Sequence, residues 1–302
     1  MVSNRDRLFP DASSGKRAAY SALDLPPLEV GALLRAHNLL PRKGLGQNFL
    51  SDPNVLKSIV AAADLPPDAT ALEVGPGLGS LTRYLSRAAA HVVAVELDSH
   101  LIPVLEEVLG AFVNVEIVQG DILALDPSRL MGSDGYYVVA NIPYNITSAL
   151  IRHLLEATLQ PRRLALTVQR EVAERICAQP GDLSLLALSV QVYGRPEVAL
   201  RIPAGAFIPA PKVDSAVVRV DLYPQPRVAR EDLDLFFRLT KAGFSQKRKT
   251  LRNALSGGMR LQPVETEDLL RAARVDPMRR AETLSIEEWS GLVRAYRATG
   301  AA

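Results

Sequence analysis

The stretch Asn141-Ile142-Pro143-Tyr144 closes a short apolar run over residues 136–140, and its residue types have a joint chemical reading. A run that short, ending in Asn-x-Pro-Tyr, reads as a buried strand opening into a rigid loop. In open α/β sheets the carboxyl edge is where ligands bind. The Asn side-chain oxygen and the next residue's carbonyl can both accept hydrogen bonds from one planar amino group. Proline stiffens the backbone so that the two acceptors converge, and tyrosine offers a flat face to an aromatic ring. Methylation of an exocyclic base amine demands this set. The nitrogen lone pair is delocalised into the ring, and two acceptors pulling on its hydrogens draw it back toward a methyl donor. The same four residues also suit a plain strand-to-helix turn with Asn as its N-cap. The rest of the chain must decide.

Residues 73–79, Glu-Val-Gly-Pro-Gly-Leu-Gly, follow one predicted strand and open a helix. Glycines there let the backbone approach a ligand closely. A dinucleotide-binding dehydrogenase is the obvious competitor, and three details oppose it. The spacing is Gly-x-Gly-x-Gly, and Pro76 lacks the N–H that a pyrophosphate would want. Glu73 is also unfavourable beside a diphosphate, though acceptable beside a sulfonium and an amino group. The next strand ends in Glu96, where a carboxylate can accept from both hydroxyls of a ribose. The third ends in Gly120-Asp121, where Asp121 can accept from an adenine amino group while Ile122 packs on the ring. Each has a plain alternative as a turn or helix-start acid. Three polar sites at three successive strand ends point instead to S-adenosylmethionine, its methyl aimed at Asn141.

The elements that must position these residues follow from periodicity. Short helices are expected over 27–39 and up to 63, the second capped by Ser51 or Asp52 with Pro53 in its first turn. Strands are expected over 69–74, 91–95, 113–118, 136–140 and 163–168. Helices are expected over 80–87, 99–109, 147–159 and 170–178. Near-continuous Val, Ala, Leu and Ile in the strands calls for a mostly parallel sheet covered on both faces. Strands over 198–202 and 215–222 would close it as an antiparallel hairpin. Past Pro224-Gln-Pro226 only helices are predicted, over 231–242, 247–255, 264–273 and 285–299. This gives a mobile extension over 1–27, an α/β domain over 28–224 and an all-helical domain over 225–302.

Composition sets outer limits. The chain has 302 residues, 48% of them apolar and 23% charged, an ordinary globular mixture. A single cysteine, Cys177, excludes an internal disulfide and a cysteine-based metal cluster. The four histidines, His37, His91, His100 and His153, lack ligand spacing, so no metal is expected. No apolar run approaches the roughly 18 residues of a membrane span. The charged, proline-containing start over 1–10 does not have the form of a secretory signal. A cytoplasmic monomer is the expectation. Residues 1–225 hold 20 Lys/Arg against 23 Asp/Glu, and 226–302 hold 15 against 10. Residues 241–260 hold six basic residues and no acidic one, which suits either a solvated helix face or a phosphate-binding surface.

From about Leu33 to Tyr296 the chain closely resembles the KsgA (RsmA) family of small-subunit rRNA adenine dimethyltransferases, whose fold is a Rossmann-like class I methyltransferase. The resemblance rests on Leu45-Gly-Gln-Asn-Phe-Leu50, Glu73-Val-Gly-Pro-Gly77, Glu96-Leu-Asp98, Gly120-Asp121 and Asn141-Ile-Pro-Tyr-Asn-Ile146. Two longer motifs complete it, residues 207–215 (Phe-Ile-Pro-Ala-Pro-Lys-Val-Asp-Ser) and 244–253 (Phe-Ser-Gln-Lys-Arg-Lys-Thr-Leu-Arg-Asn). The first five are shared more loosely with the 23S rRNA dimethylases of antibiotic resistance. The last two favour the small-subunit enzyme.

The resemblance implies that Gln47, Asn48 and Leu50 close over the donor. It implies that Gly75 and Gly77 contact the donor's methionine part, Glu96 its ribose and Asp121 its adenine. Asn141 would bridge donor and target amine, and Tyr144 and Phe207 would sandwich the target adenine. Phe207 otherwise reads as a core aromatic beside a proline turn. Lys247, Arg248, Lys249 and Arg252 would contact phosphates along a basic helix. The substrate implied is two adjacent adenosines in the 3′-terminal hairpin of 16S rRNA, within an immature small subunit. A 23S rRNA dimethylase and a ribosome-assembly checkpoint factor are the alternatives. One departure is local: after Pro180-Gly181 the family's Tyr-Gly pair is replaced by Leu185-Leu186.

Overall fold

Strands this apolar need cover on both faces, and the computed structural model of the chain, which describes residues 24–300, provides it. The extension expected over 1–27 lies, up to residue 23, outside the described residues. The N-terminal elements are α1 (Val30–Ala36), the two-residue β1 (Phe49–Leu50) and α2 (Pro53–Ala63). Then strands and helices alternate: β2 (Thr70–Val74), α3 (Ser80–Ala88), β3 (His91–Glu96), α4 (Ile102–Leu109), β4 (Val115–Gln119) and α5 (Pro127–Met131). They continue as β5 (Tyr137–Asn141), α6 (Thr147–Leu155), β6 (Arg163–Gln169), α7 (Arg170–Ile176) and α8 (Leu185–Gln191). The sheet ends with β7 (Gly194–Ile202), the short β8 (Phe207–Ile208) and β9 (Ser215–Leu222). Four helices follow: α9 (Leu233–Gly243), α10 (Leu251–Met259), α11 (Pro263–Ala272) and α12 (Ile286–Ala298). Among the described residues no helix is long and apolar enough to cross a membrane.

The sheet has seven strands in the order β4-β3-β2-β5-β6-β9-β7. The first five run parallel, and β9 lies antiparallel between β6 and β7. This is the α/β fold with a closing antiparallel hairpin and helical C-terminal part that the sequence led us to expect. The chain starts the sheet at β2, builds outward through β3 and β4, then returns to add β5 on the other side. That reversal leaves a crevice beyond the carboxyl ends of β2 and β5. Outside the sheet, β1 pairs antiparallel with β8, setting Leu50 opposite Phe207.

Residues alternate cleanly between the two faces. Leu72, Val93, Val138 and Leu164 pack on one side, while Ala71, Val92, Val139 and Ala165 pack against α2 and α3 on the other. The first face continues without a break into the C-terminal helices through Phe236, Leu255, Leu270 and Trp289. The boundary expected near residue 224 falls just past β9, yet the helices beyond it share one core with the sheet.

Several boundaries differ from the sequence expectation. The basic helix expected over 247–255 begins only at Leu251, because the N–H groups of Leu251 and Arg252 donate to the carbonyls of Arg279 and Pro277. Those tertiary bonds satisfy the helix start, so the three residues 247–249 form an exposed turn instead. Helices α5 and α8 were not expected. The first starts at Asp126, whose side chain accepts from Ser128 N–H, with Pro127 behind it. Asp52, not Ser51, caps α2.

Tight packing at the C-terminal helices is testable at Gly243, where an added Cβ would lie 2.5 Å from the Trp289 ring. Gly243→Ala should lower stability by about 1–3 kcal/mol in urea denaturation. Stability within about 0.3 kcal/mol of wild type would show that this contact yields freely.

Candidate active site

Four successive strand ends deliver their polar residues to one cleft. Glu73, Gly75 and Gly77 follow from β2, Glu96 from β3, Asp121 from β4 and Asn141 from β5, and all line it. Gln47, Asn48 and Leu50 line it from the N-terminal loop. Gly75 and Gly77 have φ of 69° and 63°, a region closed to most L-residues. At Gly77 a Cβ would also stand 2.9 Å from the Phe49 ring.

The acids differ in state. Glu73 is 1% exposed, and burial pushes its carboxyl up to about 8, with nearby Glu96 adding to the rise. The Thr82 hydroxyl pulls the other way without making a well-formed hydrogen bond. Glu73 Oε2 and Ser80 Oγ are buried at the cleft with no partner. Glu96 is braced: Oε2 accepts from Gly77 N–H at 3.0 Å and Oε1 from Asp98 N–H at 2.8 Å. Burial raises its carboxyl more than these bonds lower it, and each oxygen keeps a lone pair for a hydroxyl. Asp121 is exposed, and only its Oδ1 is engaged, by Leu123 N–H at 2.9 Å.

Asn141 donates its Nδ2 to the Asn48 carbonyl at 3.0 Å. With the amide nitrogen committed, Oδ1 is the atom left to accept. The loop that supplies this carbonyl is held twice over. An added Cβ on Gly46 would sit 3.2 Å from Pro143, so the two loops touch. Gln47 Nε2 and Arg42 Nη1 donate to the two oxygens of buried Asp98, at 2.9 and 3.1 Å. Burial works upward on Asp98, but hydrogen bonds from Gln47 and His100 and the Arg42 charge more than offset it, leaving the carboxyl below its ordinary range.

Tyr144 lies half-buried in the 3-10 turn Tyr144–Ile146, its hydroxyl 2.6 Å from Ser215 Oγ at the start of β9. Phe207 is a correction. It is 2% exposed and packed in the core beside Leu50, so the expected sandwich of Tyr144 and Phe207 is not formed. On the two-residue β8, Phe207 is the buried residue and Ile208, at 40% exposed, the outward one. Arg252 is half-buried and 3.4 Å from Glu267, a carboxylate it shares with Arg271. Lys247, Arg248 and Lys249 are exposed, on a turn and not on a helix face. Sequence reasoning did not single out Ser80 or Arg42 for a role, and Asp98 and Ser215 entered only as parts of motifs. Ser80 carried a further local signal, standing directly after the glycine turn.

The cleft's inventory is buried acid, free hydroxyl, open glycine backbone and a poised carboxamide. It fits a cationic, nucleoside-bearing ligand. The profile of the family described as ribosomal RNA adenine dimethylase matches residues 38–292. The chain belongs to that family. Its members transfer methyl groups from S-adenosylmethionine to adenine. A relative named ribosomal RNA small subunit methyltransferase A, from Dehalococcoides mccartyi, is 47% identical over 87% of this chain and 91% of its own length. Another of the same name, from Moorella thermoacetica, is 42% identical over 88% and 96%. Among solved structures, the 23S rRNA methyltransferase ErmE is similar at 29% identity, with a TM-score of 0.66 over 82% of this chain and 99% of ErmE. A dimethyladenosine transferase from Plasmodium falciparum is similar at 25% identity, with a TM-score of 0.72 over 83% and 98%.

The state of Glu73 makes a pH prediction. The folded group keeps its proton to about pH 8, whereas the unfolded one ionises near 4.5. Folding therefore takes up a proton in that window, and Glu73's contribution to stability falls as pH rises through it. Glu73→Gln should gain about 2–3 kcal/mol relative to wild type between pH 5 and pH 7 in urea denaturation. A difference independent of pH would show Glu73 already ionised in the folded protein.

Proposed function

We propose that the chain dimethylates the exocyclic amines of two adjacent adenosines in the 3′-terminal hairpin of 16S rRNA. It acts as a cytoplasmic monomer on rRNA within an immature small subunit. The observation that supports the chemistry is the Asn141 amide at the edge of the cleft, anchored through Nδ2 to the Asn48 carbonyl, which leaves Oδ1 free to accept. The small-subunit substrate is supported by relatives of that name at up to 47% identity. The likeness to the 23S enzyme ErmE is weaker at 29%.

S-adenosylmethionine, the donor in this reading, supplies a sulfonium-bound methyl whose transfer is already favourable. The chain's own tasks are positioning and electrostatic fit. Glu73 and Ser80 receive the donor's ammonium end, with Gly75 and Gly77 opening the backbone to it. Glu96 accepts from the ribose hydroxyls and Asp121 from the adenine amine. Gln47, Asn48 and Leu50 close the cleft from above. Asn141 Oδ1 and the Ile142 carbonyl accept the two hydrogens of the target amine and restore its lone pair. Held in this way, the amine nitrogen would take the methyl carbon as the donor's carbon–sulfur bond breaks, and would then give up a proton to water. A monomethylated amine keeps one hydrogen, and rotation about its bond to the ring presents it for a second transfer.

A target adenine leaves its stack to reach such a pocket. Tyr144, held by Ser215, offers it a face contributing about 1–3 kcal/mol. The exposed Lys247-Arg248-Lys249 turn contributes phosphate contacts.

Labelled donor and unmethylated small subunits, followed by mapping of modified bases, test the reading. Two adjacent dimethyladenosines near the 3′ end of 16S rRNA are expected, and modification of 23S rRNA alone would overturn it. Asn141→Ala should slow turnover by about 10²–10³-fold while donor affinity stays within about threefold. Equal turnover would remove Asn141 from the chemistry.

A further inference from the structure

A second pocket, of about 470 Å³, lies among the C-terminal helices and is lined by Arg238 and Lys241 of α9, Ser245 beyond it, and Gly258, Met259 and Arg260 at the end of α10. Its floor is a close helix crossing, since a Cβ on Gly258 would stand 2.5 Å from Ala242 Cβ. That contact brings three cations of two helices around one hollow. No Asp or Glu occurs between residues 235 and 264 to neutralise them.

Elsewhere in the helical part, Arg227, Arg252, Arg271, Arg279, Arg280 and Arg297 each sit beside a carboxylate, whereas Arg274, Arg294 and the 247–249 turn do not, among the described residues, but lie outside the lining of the hollow. Arg238, Lys241 and Arg260 have none among the described residues. Arg260 adds an independent observation. It caps α10 in the left-handed region, with φ 58° and ψ 38°, where glycine is the unstrained choice. Glycine there would remove the strain together with the charge, which makes the position a direct test of the side chain; Arg274, just past α11 and outside the hollow, shares the same φ of 58°. Helix dipoles favour cations at these C-termini, which makes Lys241 and Arg260 tolerable without a ligand but gives no reason for Arg238. Ser245 spends its hydroxyl proton on the Ala242 carbonyl at 2.7 Å, so the binding chemistry rests on the cations.

We propose that Arg238, Lys241 and Arg260 form a pocket for backbone phosphates of folded rRNA. It continues the patch of the Lys247-Arg248-Lys249 turn and anchors the substrate away from the reacting adenosine. The inference rests on the functional reading above and names a binding site within it.

Methylation of unmethylated small subunits by the full chain tests it, with KM, its salt dependence, donor affinity and Tm read for each variant. Arg260→Gly relieves the strained cap, so its Tm should equal or exceed wild type while KM for subunits rises about 3- to 10-fold. The combined Arg238→Ala, Lys241→Ala, Arg260→Gly variant should raise KM at least tenfold. It should also reduce the slope of log KM against log salt by about 1–2, one to two phosphate contacts' worth, with donor affinity unchanged. Wild-type KM and slope in both variants would overturn the pocket while leaving the function standing. A wild type that methylates no small subunit would overturn the functional reading and the pocket's ligand with it.

Discussion

One hydrogen bond ties the two halves of the cleft together, that from the Asn141 amide to the Asn48 carbonyl. A carboxamide has a donor end and an acceptor end, and free rotation would offer either to a substrate amine. Committing Nδ2 to a backbone oxygen removes that ambiguity and leaves an acceptor where an acceptor is needed. The constraint reaches further, because the carbonyl belongs to the N-terminal loop that lines the cleft. Gly46 leans on Pro143, and Asp98 grips Gln47 and Arg42 from below. Orientation of the Asn141 carboxamide and seating of the 42–48 loop over the cleft are therefore parts of one mechanical unit.

Electrostatics complements this. Two buried acids line the cleft, Glu73 held neutral by burial and Glu96 braced by two amides, while a third, Asp98, grips the covering loop and is kept ionised by its partners. Glu73 and Ser80 have unmet hydrogen-bonding capacity. Buried polar atoms without partners are unfavourable unless a ligand supplies what is missing. An ammonium group at that end of the cleft would give both a partner.

Much of this was legible in the sequence, for identifiable reasons. The strands show themselves as near-continuous apolar runs, and the donor residues stand at strand ends, where glycine and acid have few other uses. Backbone partners leave no such trace. Nothing in residues 43–50 announces that the Asn48 carbonyl meets Asn141, because every residue type has a carbonyl. Helix α8, buried on most sides, lacks the amphipathic period that marks a surface helix. The late start of α10 is set by carbonyls of Pro277 and Arg279, about 27 residues downstream. Phe207 beside Pro209 reads the same whether its ring faces a cleft or the core, and only the pairing of Leu50 with Phe207 decides. The basic C-terminal composition was visible, whereas the sharing of carboxylates that leaves Arg238, Lys241 and Arg260 unpaired needed three dimensions.

The central claim is that Asn141 works as a donor to Asn48 as much as an acceptor from the substrate. Asn141→Asp separates the two roles, being isosteric and a stronger acceptor but unable, when ionised, to donate to the Asn48 carbonyl. Single-turnover methyl transfer by this variant at neutral pH should fall by about 10²-fold or more with little change in donor affinity. Transfer at or above the wild-type rate would show that acceptance alone suffices and that the bond to Asn48 is incidental.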